Sequence, residues 1–166
     1  MKTLIRNILI GCFGLICLSV FAQEHIPDPI ETDPDFEQAY ELYNRGEYNE
    51  AIGLFQKVLE RDPEHLRSQV YLGVCYMGLE SWDKAIEELE KALKMDEKYP
   101  LSNYALSVCN ARKPEPNIEN AKKYLALAKE NGYHVPVWFE EFLDRLATGR
   151  LPAQNEPSPE PAESAS

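Results

Sequence analysis

Basic side chains are scarce in this chain, with 17 Lys and Arg against 28 Asp and Glu and a formal net charge of −11. Gripping nucleic acid takes a basic stripe that displaces counterions from phosphates, and none is present; anionic membranes and lipopolysaccharide repel such a surface as well. Histidine is rarer still. His25, His65 and His134 stand alone, and beyond residue 22 no Cys lies within four residues of a His or of another Cys, so no metal-ligand spacing exists. A glycine-rich phosphate loop is missing too. Among the many acids, Glu87, Glu88 and Glu90 fall on one regular helix surface and read as a solvated face, not as a catalytic carboxylate pair. The residues assemble no catalytic constellation, so the expectation is a protein that is not an enzyme and that holds no cofactor or metal.

Long apolar runs are also lacking. The longest uncharged stretch, Ile8 to Ala22, is shorter than the ~20 residues that span a bilayer. It follows Lys2 and Arg6 and ends Val20-Phe21-Ala22, a tolerable signal-peptidase site, so residues 1–22 read as a secretory signal peptide. Its removal leaves 15 basic against 28 acidic residues, a net charge of −13. Leu9-Ile10-Gly11-Cys12 fits a loose lipobox, but only Asn7 to Gly11 separates Arg6 from that cysteine, too little for an apolar region, which argues against a lipid anchor. Export to a bacterial periplasm fits the short signal and the absence of stapling disulfides; a eukaryotic secretory route is the other possibility. Cys75 and Cys109 are the two cysteines left. Their places on successive packed helices, whose axes lie ~8 to 10 Å apart, favour two buried free thiols over a disulfide.

The stretch Leu66 to Tyr99 reads as a helix-turn-helix unit that cannot bury its own apolar face. Gly73, Ala85 and Ala92 stand where helices must approach closely, and Leu72, Tyr76, Trp82, Ile86, Leu89 and Leu93 fill the space around them. Sliding the sequence by 34 residues pairs Ala51 with Ala85, Ile52 with Ile86, Leu59 with Leu93, Tyr48 with Trp82 and Phe55 with Leu89. The Leu72-Gly73-x-x-Tyr76 run with Trp82, Ala85, Leu89 and Ala92 resembles the tetratricopeptide repeat, whose period is about 34 residues. Gln69 stands where that family often has Trp, and Glu97 where it often has Pro.

The resemblance implies an all-α fold, an α-solenoid of about three helix-turn-helix repeats (32–65, 66–99 and 100–133) with a capping helix over 136–147, about seven helices in all. The domain organisation expected is a signal peptide (1–22), an extended leader (23–34), the repeat domain (35–148) and a disordered Pro/Glu/Ser tail (149–166). Asp35 or a neighbour, Ser81 and Asn117 are candidate helix N-caps, Gly46 and Asn131-Gly132 candidate stops, and His65 a surface residue.

In the family the first helices of the repeats line a concave groove that receives peptides or partner helices. The matching residues here are Phe36, Tyr40, Tyr43 and Asn44, then Arg67, Val70, Val74 and Met77, then Leu101, Tyr104, Val108 and Ala111. Family members that clamp a C-terminal carboxylate use Lys and Asn in this groove. This chain has Phe36 and Val70 at the Lys place and Tyr40 and Val74 at the Asn place, so no such clamp is expected. The resemblance therefore implies a cell-envelope adaptor that binds an apolar or amphipathic protein segment. Other readings stand beside it: several of these residues pack between adjacent first helices or are covered by the leader, or the chain is an accessory module docked through Trp138, Phe139 or its tail with the groove unoccupied.

Overall fold

A helix starts where the chain can satisfy its first free amides. Asp33 does this at the beginning of the domain, its Oδ1 accepting from the Asp35 and Phe36 amides at 2.9 and 3.4 Å, with Pro34 locking the first helical residue. The computed structural model describes residues 33–150, and among them lie seven α-helices and no strand. They are α1 (Pro34–Asn44), α2 (Tyr48–Arg61), α3 (Leu66–Gly78), α4 (Trp82–Met95), α5 (Pro100–Arg112), α6 (Ile118–Glu130) and α7 (Val137–Ala147). The expected signal peptide, the leader up to residue 32 and the tail from residue 151 lie outside the described residues.

The second helices carry one apolar stripe each. Ala51, Phe55 and Val58 on α2, Ala85, Leu89 and Ala92 on α4, and Ala121, Leu125 and Ala128 on α6 recur at spacings of four and three, and all are buried. The first helices are buried more widely, because α1 meets α3 and α3 meets α5 as well as their own partners. In α5 every residue from Ser102 to Ala111 is buried. Cys75 and Cys109 sit in this layer as free thiols, both fully enclosed.

The turns repeat as faithfully as the helices. After α1 the Glu47 amide donates to the Leu42 carbonyl at 2.9 Å and the Gly46 amide to the Tyr43 carbonyl at 2.9 Å, with Gly46 left-handed at φ +76°. One period on, Ser81 donates to Tyr76 at 2.9 Å and Glu80 to Met77 at 3.0 Å, and Glu80 holds the left-handed place at φ +55°. Two cap expectations change. Ser81 occupies the N-cap place of α4 but its side chain makes no capping bond. His65 is half-buried and not a free surface residue: its Nδ1 accepts from the Ser68 amide at 3.1 Å, and its ring lies 5.2 Å from Phe36. Asn117 does cap α6, accepting from the Asn120 amide at 3.0 Å, and Gly132 at φ +88° follows its end.

Candidate functional site

The wall expected to form the site is built from α1, α3 and α5, whose facing side chains divide into two groups. Phe36, Tyr43, Val70, Val74, Tyr104, Val108 and Ala111 are buried, whereas Tyr40, Met77 and Leu101 are half-buried and Asn44 and Arg67 are exposed. Packing takes up several of the buried group: Phe36 and Tyr43 meet Tyr71 of α3, and Tyr104 meets Phe139 of α7. Open apolar surface is therefore narrower than the twelve residues suggest.

Two aromatic clusters make the seams. Phe36 lies 5.2 Å from the His65 ring and 6.3 Å from Tyr71, and Tyr71 in turn meets Tyr40 edge-on at 5.0 Å and Tyr43 at 5.2 Å. The second seam holds Tyr104, stacked on Tyr133 at 4.5 Å and met edge-on by Phe139 at 5.5 Å. Phe36, His65 and Tyr71 each stand 68 residues before Tyr104, Tyr133 and Phe139, two periods of 34. The intervening copy is Val70, Tyr99 and Ala105, which leaves Tyr99 half-buried with no ring stacked on it among the described residues. Tyr71, Tyr99 and Tyr133 are absent from the expected site, although the 34-residue slide that reveals the repeats also lines up Tyr99 with Tyr133.

The same slide extends the wall onto α7. Trp138 lies 34 residues beyond Tyr104 and Phe142 lies 34 beyond Val108, so α7 takes the register of a first helix in a fourth unit. Its contacts agree. Phe139 meets Tyr104 near the start of α5, and the Arg112 guanidinium at the end of α5 lies 5.7 Å from the Phe142 ring centroid. Trp138 and Phe142 are half-buried.

Arg67 and Asp96 both act electrostatically on Tyr99. Burial pushes the hydroxyls of Tyr43, Tyr71 and Tyr104 well above the ordinary phenol range, so they stay protonated and act as hydrogen-bonding groups. Burial raises Tyr99 too, against the pull of Arg67 beside it. Arg67 lies 4.5 Å over the Phe36 ring. Burial pushes both Cys75 and Cys109 up to about 12, so neither supplies a thiolate nucleophile at neutral pH. Among the described residues no three His, Cys, Asp or Glu side chains converge on a metal-sized space, and no helix is long and apolar enough to cross a membrane.

Comparison with known proteins gives the following. The tetratricopeptide repeat family model matches residues 36–115. The Yersinia enterocolitica type III secretion chaperone SycD, in complex with a peptide of the translocator YopD, is 27% identical at a TM-score of 0.56, over 69% of this chain and 86% of that one. The first such domain of Spaghetti (RPAP3) bound to an HSP90 peptide shares the fold at 17% identity and a TM-score of 0.61, covering 70% of this chain and 90% of that one. The TPR2B domain of yeast Sti1 in its pHsp70 complex shares it at 19% and 0.55, over 69% and 94%. Among curated protein sequences none matches.

Proposed function

We propose that this chain, whose residues 36–115 match the tetratricopeptide repeat family model, is a non-enzymatic adaptor of the cell envelope that holds an apolar or amphipathic protein segment against the wall of α1, α3, α5 and α7. The observation that carries this reading is the strip of half-buried side chains that starts at the first aromatic seam with Tyr40 and Tyr71 and continues through Met77, Tyr99 and Leu101. They offer broad apolar area together with hydroxyls that can hydrogen-bond, the combination that favours a peptide's side chains and its backbone polar groups together. The peptide complexes of SycD, Spaghetti and Sti1 lend support, since each is a protein of this fold with a protein segment bound.

Photo-cross-linking tests the reading. A photoreactive residue at Met77, on the wall, is expected to trap a protein partner in the native host, while one at the exposed Glu90 of α4 traps none. Equal trapping at both sites would count against the wall. The envelope location rests on the signal-like residues 1–22, and a mature chain beginning at Gln23 by mass spectrometry is the expected finding.

One observation favours docking through the capping helix as a second reading. Val137, at the start of α7, is 70% exposed, beside the half-buried Trp138. Substituting Val137 by Glu then releases the partner while Met77 substitutions do not.

A further inference from the structure

Carboxylates outnumber basic groups heavily in this chain, and many of the basic groups on its other surfaces pair with one, although Lys84 and Lys123 lie over the Tyr76 and Tyr124 rings. Arg45 pairs with Glu47 at 3.3 Å, Arg61 with Asp33 at 2.7 Å and with Asp35, Lys57 with Asp35 at 3.0 Å, Lys91 with Glu87 and Glu88, and Lys129 with Glu140 at 2.8 Å. On the inner wall, Arg67 and Arg112 have no carboxylate within ion-pair distance among the described residues; they lie over the aromatic rings of Phe36 and Phe142. Arg112 is half-buried, and its Nε is sealed from solvent with no acceptor. A guanidinium partly withdrawn from water without an anion gives up hydration for little return, so its terminal amino groups, and not the sealed Nε, are the donors left for an external acceptor.

We infer that the wall selects segments with a carboxylate on either side of an apolar stretch, one anchored by Arg67 and the other by Arg112, an inference that rests on the peptide-binding reading of the wall. Guanidinium and carboxylate match as paired parallel hydrogen bonds. Beside the anchors, Tyr71 and Met77 of α3 and Tyr99 and Leu101 at the start of α5 carry no charge, which sets the apolar middle. Spacing follows from the helices. Arg67 is in the first turn of α3 and Arg112 is the last residue of α5, both helices of 13 residues. At 1.5 Å per residue the anchors stand at opposite edges of the wall, about 20 Å apart along the helix direction. An extended segment covers that in about six residues. The excess of acid elsewhere in the chain meanwhile repels such a segment from the other surfaces.

The test uses three fluorescent octapeptides with one Leu/Val/Ser interior, capped at both ends by Glu, by Gln or by Lys, and reads anisotropy with the full mature chain. The Glu peptide is expected to bind about tenfold more tightly than the Gln peptide and the Lys peptide most weakly. Its advantage is lost in R67Q/R112Q and partly kept in R67K/R112K. Thermal unfolding verifies that each variant folds, and R67Q alone, at an exposed site, carries the test if R112Q does not fold. A synthetic peptide of residues 151–166, with Glu156, Glu160 and Glu163, is expected to compete with the Glu probe. Equal affinity of the three octapeptides, or an undiminished Glu advantage in the variants, overturns this inference alone. Failure of all three to bind overturns it together with the peptide-binding reading.

Discussion

A Cβ placed on Gly73 would stand 2.6 Å from Leu89 Cγ, 2.9 Å from its Cδ2 and 3.2 Å from its backbone nitrogen. Here α3 and α4 come together, and Leu89 is fully buried with nowhere to turn. Gly73→Ala gains up to about 1 kcal/mol of helix propensity but must push α4 outward, and overpacking of this kind is worth about 1 to 3 kcal/mol. The expected result is a melting temperature several degrees lower. Gly78→Ala is the control: its new methyl would meet the ring of Tyr48 at 2.6 Å, and that ring is half-exposed and can swing aside. If both variants melt alike, the close approach is not what holds the pair.

Glu80 is the non-glycine residue with positive φ among those described, in the place that Gly46 fills one period earlier. A side chain in the left-handed conformation costs roughly 1 kcal/mol that glycine does not incur. Glu80→Gly is accordingly expected to raise stability by up to about 1 kcal/mol, less what a more flexible unfolded chain takes back. Gly46→Glu should lower stability by a similar amount. Chemical denaturation of the two variants checks the pair, and a loss of stability in Glu80→Gly would contradict it.

The helices and turns were legible because the signals that fix them are local and repeat. Tyr48 and Trp82 open α2 and α4 one period apart, and the Gly46 turn recurs at Glu80 even though the residue type changes. The wall was less legible. Matching residues to family groove places puts Tyr104 and Val108 beside Tyr40, but it cannot tell a side chain facing open space from one roofed by the next helix. Whether α7 covers α5 depends on Phe139 and Tyr133, which lie about 30 residues further along the chain. Arg112 was missed for a similar reason: nothing near it in sequence says that it will have a ring and no acid beside it.

That distinction makes a mutational prediction. Tyr104 is 7% exposed and wedged between Tyr133 and Phe139, so Tyr104→Ala opens a cavity and should cost about 3 kcal/mol or more. Tyr40 is half-buried at the edge of its seam, so Tyr40→Ala should cost less than half of that. In a binding assay the order reverses: Tyr40→Ala weakens peptide capture in a protein that still folds, whereas Tyr104→Phe, which keeps the ring, leaves both nearly unchanged. Equal destabilisation by the two alanine substitutions would place Tyr40 in the core as well.

The buried thiols and phenols make stability depend on pH on the alkaline side. Cys75 and Cys109 rise from an ordinary 9.0 to about 12, and Tyr43, Tyr71 and Tyr104 rise from an ordinary 10.0, in every case because burial opposes the charged form. Above about pH 9 the folded chain therefore holds protons that the unfolded chain releases, and stability falls as pH rises. The contribution is complete below about pH 9 and is lost progressively toward pH 12 and above, the thiols beginning first. Denaturant midpoints are expected to show no loss from these groups between pH 7 and 8.5 and to drop steadily from pH 9 to 11. In the double variant Cys75→Ala, Cys109→Ala the onset moves up toward pH 10, where the tyrosines take over. Thiol labelling at pH 8 should be slow in the native chain and quick once denaturant is added. Rapid labelling in the native state, or a midpoint unchanged to pH 11, would mean that water reaches the layer between the first helices.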